Sequence, residues 1–412
     1  MLLRGCFAIA AAVFAIGCSK PDSDDWKPPV EPVTADPPRY IGTIAALLVD
    51  EFECSRCHDG VGTPAAARDK DCRGCHRDIL QGKLVAEPLE LARWHARIRH
   101  FVEVPSLAHV GQKFRRSWLE RYLLEPHDLR PALEETMPRL ALTPERAQQV
   151  SAFLAAEDGA TAPLTAPPAA LLARGRELID TKGCGTCHRM SGVEPLLPSP
   201  LPYALPQDRM VRALRLAPDL RFARERLRPG YLERWLTNPI AVSADAVMPN
   251  PELKPDEVRA VTAYLLAAPL APVQPKVFTR LPVLARKVPF SEVKERVFRN
   301  TCWHCHSEPD YAIGDGGPGN TGGFGFPGKH INLAEHEGLL AGYEAAPGER
   351  KSLFLPEPPN GESRLVAALL ARHAEEAGTP MPGVRGMPLA LPALPAEEIQ
   401  LVESWIAQGR PL

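Results

Sequence analysis

Gly175-Arg176-Glu177-Leu178-Ile179-Asp180-Thr181-Lys182-Gly183-Cys184-Gly185-Thr186-Cys187-His188 carries a helical pattern directly into a Cys-x-x-Cys-His string. The same string stands at Cys54-Ser55-Arg56-Cys57-His58, Cys72-Arg73-Gly74-Cys75-His76 and Cys302-Trp303-His304-Cys305-His306. Two cysteines three apart share one face of a helical turn, and a histidine directly after the second is the attachment pattern of c-type haem. The cysteines would form thioethers to the haem vinyl groups and the histidine would bind the iron. Four strings therefore imply four covalently attached c-type haems and point to electron flow rather than organic catalysis. Paired Cys-x-x-Cys also serves zinc or a redox dithiol. Zinc leaves the four trailing histidines unexplained, and a thioredoxin-like dithiol needs a preceding strand that the sequence does not offer.

The cysteine count closes around this reading. Of ten cysteines, eight lie in the strings, leaving Cys6 and Cys18 near the N-terminus and none for a structural disulfide. A formal net charge of −2 over 412 residues gives no argument for a nucleic-acid partner. Forty-five prolines and few aromatics suit short helices joined by long loops around a cofactor that supplies much of the core. Residues 1–18 read as an export signal, with Arg4 before an apolar run too short to span a bilayer as a mature helix. Ala15-Ile16-Gly17-Cys18 resembles a lipobox, so Cys18 is the expected lipidation site, and Ser19 after it suits an outer-membrane destination. Residues 19–38 read as a flexible tether. The chain is thus expected on the periplasmic side of a bacterial membrane, held by a lipid anchor.

Pro/Ala-rich stretches at 159–169 and about 268–289 separate three blocks, 39–158, 170–267 and 290–412. The first two repeat each other. Ser117-Trp118-Leu119-Glu120-Arg121-Tyr122-Leu123-Leu124-Glu125-Pro126 matches Gly230-Tyr231-Leu232-Glu233-Arg234-Trp235-Leu236-Thr237-Asn238-Pro239 at an offset of 113, as does Pro105-Ser106-Leu107 with Pro218-Asp219-Leu220. Each copy then shows a Met-Pro, at Met137 and Met248, and a closing helix, 143–156 with Thr143 as N-cap and Pro144 in the first turn, and 255–267.

This order resembles class I cytochrome c, over most of 170–267. The resemblance implies a small all-α fold with haem in a crevice between His188 and Met248, and His/Met ligation that raises the potential. Met137 is the corresponding ligand of the first block, which has two attachment strings. Spacing pairs it with Cys72, 65 residues away, whereas the helix expected at 40–53 pairs it with Cys54. The His76 haem then needs another ligand from His100, His95, His109 or His127, with His100 at the end of a helix over 89–102 placed first.

The third block opens with a helix expected over 293–306. It ends in Gly386-Met387-Pro388 and a helix finishing Trp405-Ile406-Ala407-Gln408-Gly409, which resembles planctomycete-type cytochrome c domains. That resemblance implies Met387 as sixth ligand, ahead of Met381, with Trp405 near the haem. The Gly-rich 314–323 does not match a calcium loop. Seven arginines between Arg209 and Arg228 are expected mostly on a solvated helix face, one or two reaching haem carboxylates.

The fold expected is all-α: three cytochrome c-like domains in tandem with long loops and four covalent haems. The function expected is a membrane-anchored relay of single electrons, not an enzyme, working with a redox protein or a membrane respiratory complex, its separate domains on flexible linkers. A peroxidase or nitrite reductase using an open-sided His76 haem is the alternative. A photosynthetic reaction-centre haem subunit would carry a methionine just before each string, and none stands there.

Overall fold

The computed structural model describes residues 26–29, 39, 42–98, 103–133, 137–156, 158, 165–200, 205–308, 318–357 and 361–412. The chain is mostly α-helical, with three short two-stranded antiparallel hairpins among the described residues, all in the third block. The all-α expectation is corrected there. Strands of two to four residues such as Tyr343–Ala346 and Glu349–Lys351 are too short to display an alternation in sequence. The signal stretch, Cys18 and His100 lie outside the described residues.

In the first block the opening helix is Ile44–Glu51, with Thr43 Oγ1 accepting from Ala46 N at 3.2 Å. The closing helix is Pro144–Leu154, capped by Thr143 and started by a proline whose missing N–H is no loss in a first turn. Ala46, Leu48 and Val49 of the first pack with Ala147, Val150, Phe153 and Leu154 of the second, and a middle helix, Arg116–Leu124, adds Trp118 and Leu119. The second block repeats the arrangement. Its opening helix Ala169–Thr181 crosses its closing helix Pro255–Ala267, with the middle helix Pro229–Thr237 alongside. Gly175 sits at the crossing, where a Cβ would stand 2.2 Å from the Ala260 carbonyl oxygen. No larger residue permits that approach, so the helices meet backbone to side chain and bury Leu178, Ile179, Val261 and Leu265 between them. Each such side chain contributes about 1.5–3 kcal/mol when fully buried.

The two repeats also pair with each other. Phe114 and Leu227 form an isolated antiparallel bridge, Arg115 N donating to Arg226 O at 2.9 Å and Arg228 N to Lys113 O at 3.0 Å. Arg228, almost fully buried, adds hydrogen bonds to the carbonyls of Gly111 and Ala156 and an ion pair with Asp158.

The third block starts with a helical turn, Phe290–Val293, that widens over Lys294–Cys302 into π-helical geometry, Trp303 N reaching back to Phe298 O at 3.0 Å. Its core gathers Phe290, Val297, Phe298, Leu369 and Trp405 from that turn, the helix Arg364–Glu376 and the final helix Ala396–Ala407. Gly409 takes φ +81° just past that helix, the left-handed conformation of a C′ glycine.

Two stretches expected to be loose carry specific contacts. Trp26, inside the tether, is buried in the second block's core, its indole N–H bonded to Thr165 O at 2.8 Å. An indole has too much apolar surface to be left in water when a pocket is at hand. The stretch 268–289 has no regular structure, but its end is strapped to the final helix. Leu284 N donates to Ser404 Oγ, Val288 N to Gln408 Oε1, and the Gln408 amide to Leu284 O and Arg286 O. The third block also touches the first. Phe324 joins the first block's core, its N–H bonded to Glu53, and Arg385 donates to Arg139 O. Among the described residues no helix is long and apolar enough to cross a membrane.

Candidate haem crevices

Each attachment string folds as the helical turn that its spacing requires. His58 N bonds Cys54 O, His188 N bonds Cys184 O and His306 N bonds Cys302 O, at 2.9–3.0 Å. Cys72 instead begins a regular helix, Cys72–Leu80, whose N-cap Asp71 accepts from Gly74 N at 2.8 Å. Within each string the second cysteine follows the first by one turn.

The histidines of the two repeats are held alike. His58 Nδ1 lies 2.8 Å from Pro105 O and His188 Nδ1 lies 2.9 Å from Pro218 O. A carbonyl only accepts, so Nδ1 carries the proton in both rings and Nε2 is left with its lone pair, the state in which histidine binds a metal. Burial pushes the pKa of both down, against the hydrogen bonds to the proline carbonyls, and keeps the rings neutral near pH 7. Pro105 and Pro218 are repeat partners, so one backbone carbonyl at one position in the repeat orients each ring.

Both rings line a single cavity of about 1530 Å³. It gathers Cys54, Cys57, His58 and Met137 from the first repeat and Cys184, Cys187, His188 and Met248 from the second. A pocket for one drug-sized ligand holds about 300–1,000 Å³, so this volume fits two bulky groups side by side. Met248 Sδ accepts from Trp235 Nε1 at 3.0 Å, which fixes the thioether in the second repeat's half. Met137 shares the cavity with the Cys54 string and packs with Cys54 against the first block's core, and Cys72, Cys75 and His76 are not among the lining residues.

Burial pushes Cys54 up to about 12 and Cys184 up to about 11, whereas a reactive Cys-x-x-Cys requires a lowered pKa. The Cys72 thiol hydrogen-bonds Cys57 and, with burial, raises the Cys57 pKa, so the first two strings adjoin. Among the described residues no three His, Cys, Asp or Glu side chains converge as a metal site.

His76 is 7% exposed, and its ring centroid lies 6.1 Å from that of His304, inside the fourth string. Of the histidines considered for its haem, His95 is exposed on the helix Pro88–Arg97, which ends earlier than expected. His109 lines the cavity that contains His58. His127 packs between Tyr122 and Phe222, ring centroids 5.5 and 5.1 Å away. In the third block Met387 is half-buried, its N–H bonded to Ala368 O at 2.9 Å, and Trp405 is fully buried against Phe290, Phe298, Phe354 and His336.

The arginine-rich stretch is corrected. Arg212 and Arg215 pair with Glu103, Arg209, Arg221 and Arg224 bond the carbonyls of Ala246, Ser191 and Ala268, and Arg226 and Arg228 are buried. The stretch mends loops and the junction between repeats rather than forming a solvated face. Three features lay outside the sequence reading: the Trp235–Met248 contact and the Lys113–Arg226 pair in the cavity, and the His76–His304 proximity away from it. The offset of 113 relates Lys113 to Arg226.

The fold and cavity define a mostly helical chain with an internal repeat that brings two Cys-x-x-Cys-His strings and two methionines around one cavity. No protein-family model, curated protein or solved structure matches the chain.

Proposed function

We propose that this chain is a tetrahaem c-type cytochrome that relays single electrons between periplasmic or membrane redox partners, anchored through Cys18. One observation carries the reading: two repeat-related histidines, each with Nδ1 tied to a proline carbonyl and Nε2 left as a donor, share a cavity with two cysteine pairs and two methionines. Bound haem supplies a one-electron iron couple. The chain's own residues do the rest. Cys54, Cys57, Cys184 and Cys187 would hold the group, and His58, His188, Met137 and Met248 would supply ligands to the iron. Cys72, Cys75, His76 and Cys302, Cys305, His306 would hold two more, with Met387 distal in the third block. Trp235 directs the Met248 sulfur.

Contiguity supports a relay. The Cys184 and Cys54 strings open on one cavity, the Cys54 and Cys72 strings meet at Cys57, and the Cys72 and Cys302 strings meet at His76 and His304. That gives an order of Cys184, Cys54, Cys72, Cys302, unlike the order in sequence. The strapped 268–289 stretch and the contacts of Phe324 and Arg385 favour one fixed assembly over shuttling domains. The test is a potentiometric titration of the chain matured with haem, followed by the reduced spectrum with CO. Four midpoints without rapid CO binding support the relay. An iron that takes CO readily would move the reading to a haem enzyme.

A further inference from the structure

Lys113 and Arg226 both line the shared cavity, and they are repeat partners at the offset of 113. Each is the last residue of a four-residue helical turn, Val110–Lys113 and Ala223–Arg226. Each backbone also takes part in the bridge around Phe114 and Leu227, in which a residue pairs antiparallel with its own repeat partner. That pairing is the mark of a local two-fold axis between the repeats, and it brings the two cations together where the two crevices join.

Neither cation has an ion pair or an accepting group among the described residues. Arg226 is 8% exposed, with Nε unsatisfied, and its only recorded partner is the Phe114 ring, 5.7 Å from the guanidinium. Lys113 Nζ lies 5.0–5.9 Å from the rings of Phe114, Tyr231 and Trp235. Of the nearby carboxylates, Glu103 pairs with Arg212 and Arg215, while Asp245, which accepts from the Ser243 hydroxyl, and Glu225 act on Lys113 and Arg226 from beyond ion-pair distance. Burial drives Lys113 down to about 7 and Arg226 to about 10, helped for Lys113 by the charge of Arg226 and for both by that of Arg130, also on the cavity wall. A buried cation without an anion is among the costliest groups in a protein. Two basic side chains at symmetry-related positions, neither in an ion pair with a described residue, mark a place where bound negative charge would be stabilised and would hold Lys113 protonated.

We propose that Lys113 and Arg226 form a shared carboxylate site on the axis between the repeats, taking the haem propionates of both crevices and joining the two haems into one coupled pair. The inference rests on the haem reading above. The guanidinium offers two parallel donors to a carboxylate and the ammonium a point charge. Positive charge held against the propionates stabilises the reduced iron, so the pair would raise both potentials.

The test uses the haem-loaded full chain and the variants K113Q, R226K and K113Q/R226Q. Pyridine haemochrome gives the number of haems, and potentiometric titration resolves the midpoints. Four haems are expected throughout. In K113Q/R226Q two of the four midpoints should move to lower potential while the other two stay, and R226K should keep the wild-type values. If the double variant does not accumulate, K113Q alone should lower at least one of the same two midpoints. Four haems with all midpoints unmoved, in the double variant or in K113Q when only that can be made, would overturn the proposal. A wild-type chain without covalent haem overturns the haem reading itself, and the haemochrome reveals that before any titration.

Discussion

Gly175→Ala tests how the second repeat builds its crevice. The added Cβ would stand 2.2 Å from Ala260 O and 2.8 Å from Tyr264 Cβ, where ordinary contact begins near 3.4 Å. The opening and closing helices must therefore part by on the order of 1 Å, a gap that forfeits roughly a quarter to a half of each dispersion contact it opens. Leu178, Ile179, Val261 and Leu265 lose contacts at the crossing. Overpacking of this kind costs about 1–3 kcal/mol, and contact with backbone places it at the upper end. Alanine returns about 1 kcal/mol through helix propensity. The net expectation is a loss of about 2 kcal/mol, read as a lower denaturant midpoint at unchanged slope. The same shift reaches the distal side, because Lys182 Nζ ties the end of the opening helix to Glu252 O, four residues past Met248. Part of the His188 haem should then lose Met ligation, visible in the oxidised spectrum. A denaturant midpoint equal to or above that of the wild type would refute the close crossing and the packing drawn from it.

Other consequences are independent of that crossing. Thr143→Ala removes the cap of the first repeat's closing helix and should cost about 1 kcal/mol in chemical unfolding, with Thr143→Ser close to wild type. Trp26→Ala should free the segment before residue 39, seen as new proteolytic cleavage there, and lower stability by about 2–3 kcal/mol, below the range for a central core tryptophan because the residue is peripheral. Asp158 is raised by burial, but hydrogen bonds from Ser117 and Arg116 and the Arg228 charge outweigh this and hold its carboxyl below the usual range. Its contribution is complete above the ordinary aspartate pKa of 3.8 and lost as pH falls through the lowered value. Asp158→Asn should flatten the acid limb of the stability curve, measured by thermal unfolding against pH.

The repeat made much of this legible. Thr143 and Pro144 mark a helix start that propensity alone would blur, and the second closing helix falls at Pro255–Ala267 as its pattern requires. The paired Pro105 and Pro218 flagged the carbonyls that orient His58 and His188, though their partners needed coordinates. Which string Met137 faces was not decidable from spacing, because the loop between the Cys54 string and Pro105 is longer than its counterpart. The third block was least legible. Its hairpins are too short to alternate, and the helix Arg364–Glu376, which accepts from the Met387 N–H through Ala368 O, stands far in sequence from the Cys302 string that opens the block. The roles of the arginines depend on which loop carbonyl lies opposite, a tertiary fact with no local signal.

The central claim, four covalent haems on four strings, is tested most directly by the intact mass of the mature chain made in a host that attaches c-type haem. A mass increased by four haems, lost one at a time in Cys57→Ala/Cys54→Ala and the corresponding double variants of the other three strings, is the expected result. A chain that carries no haem, or binds zinc stoichiometrically through the same cysteines, would contradict it.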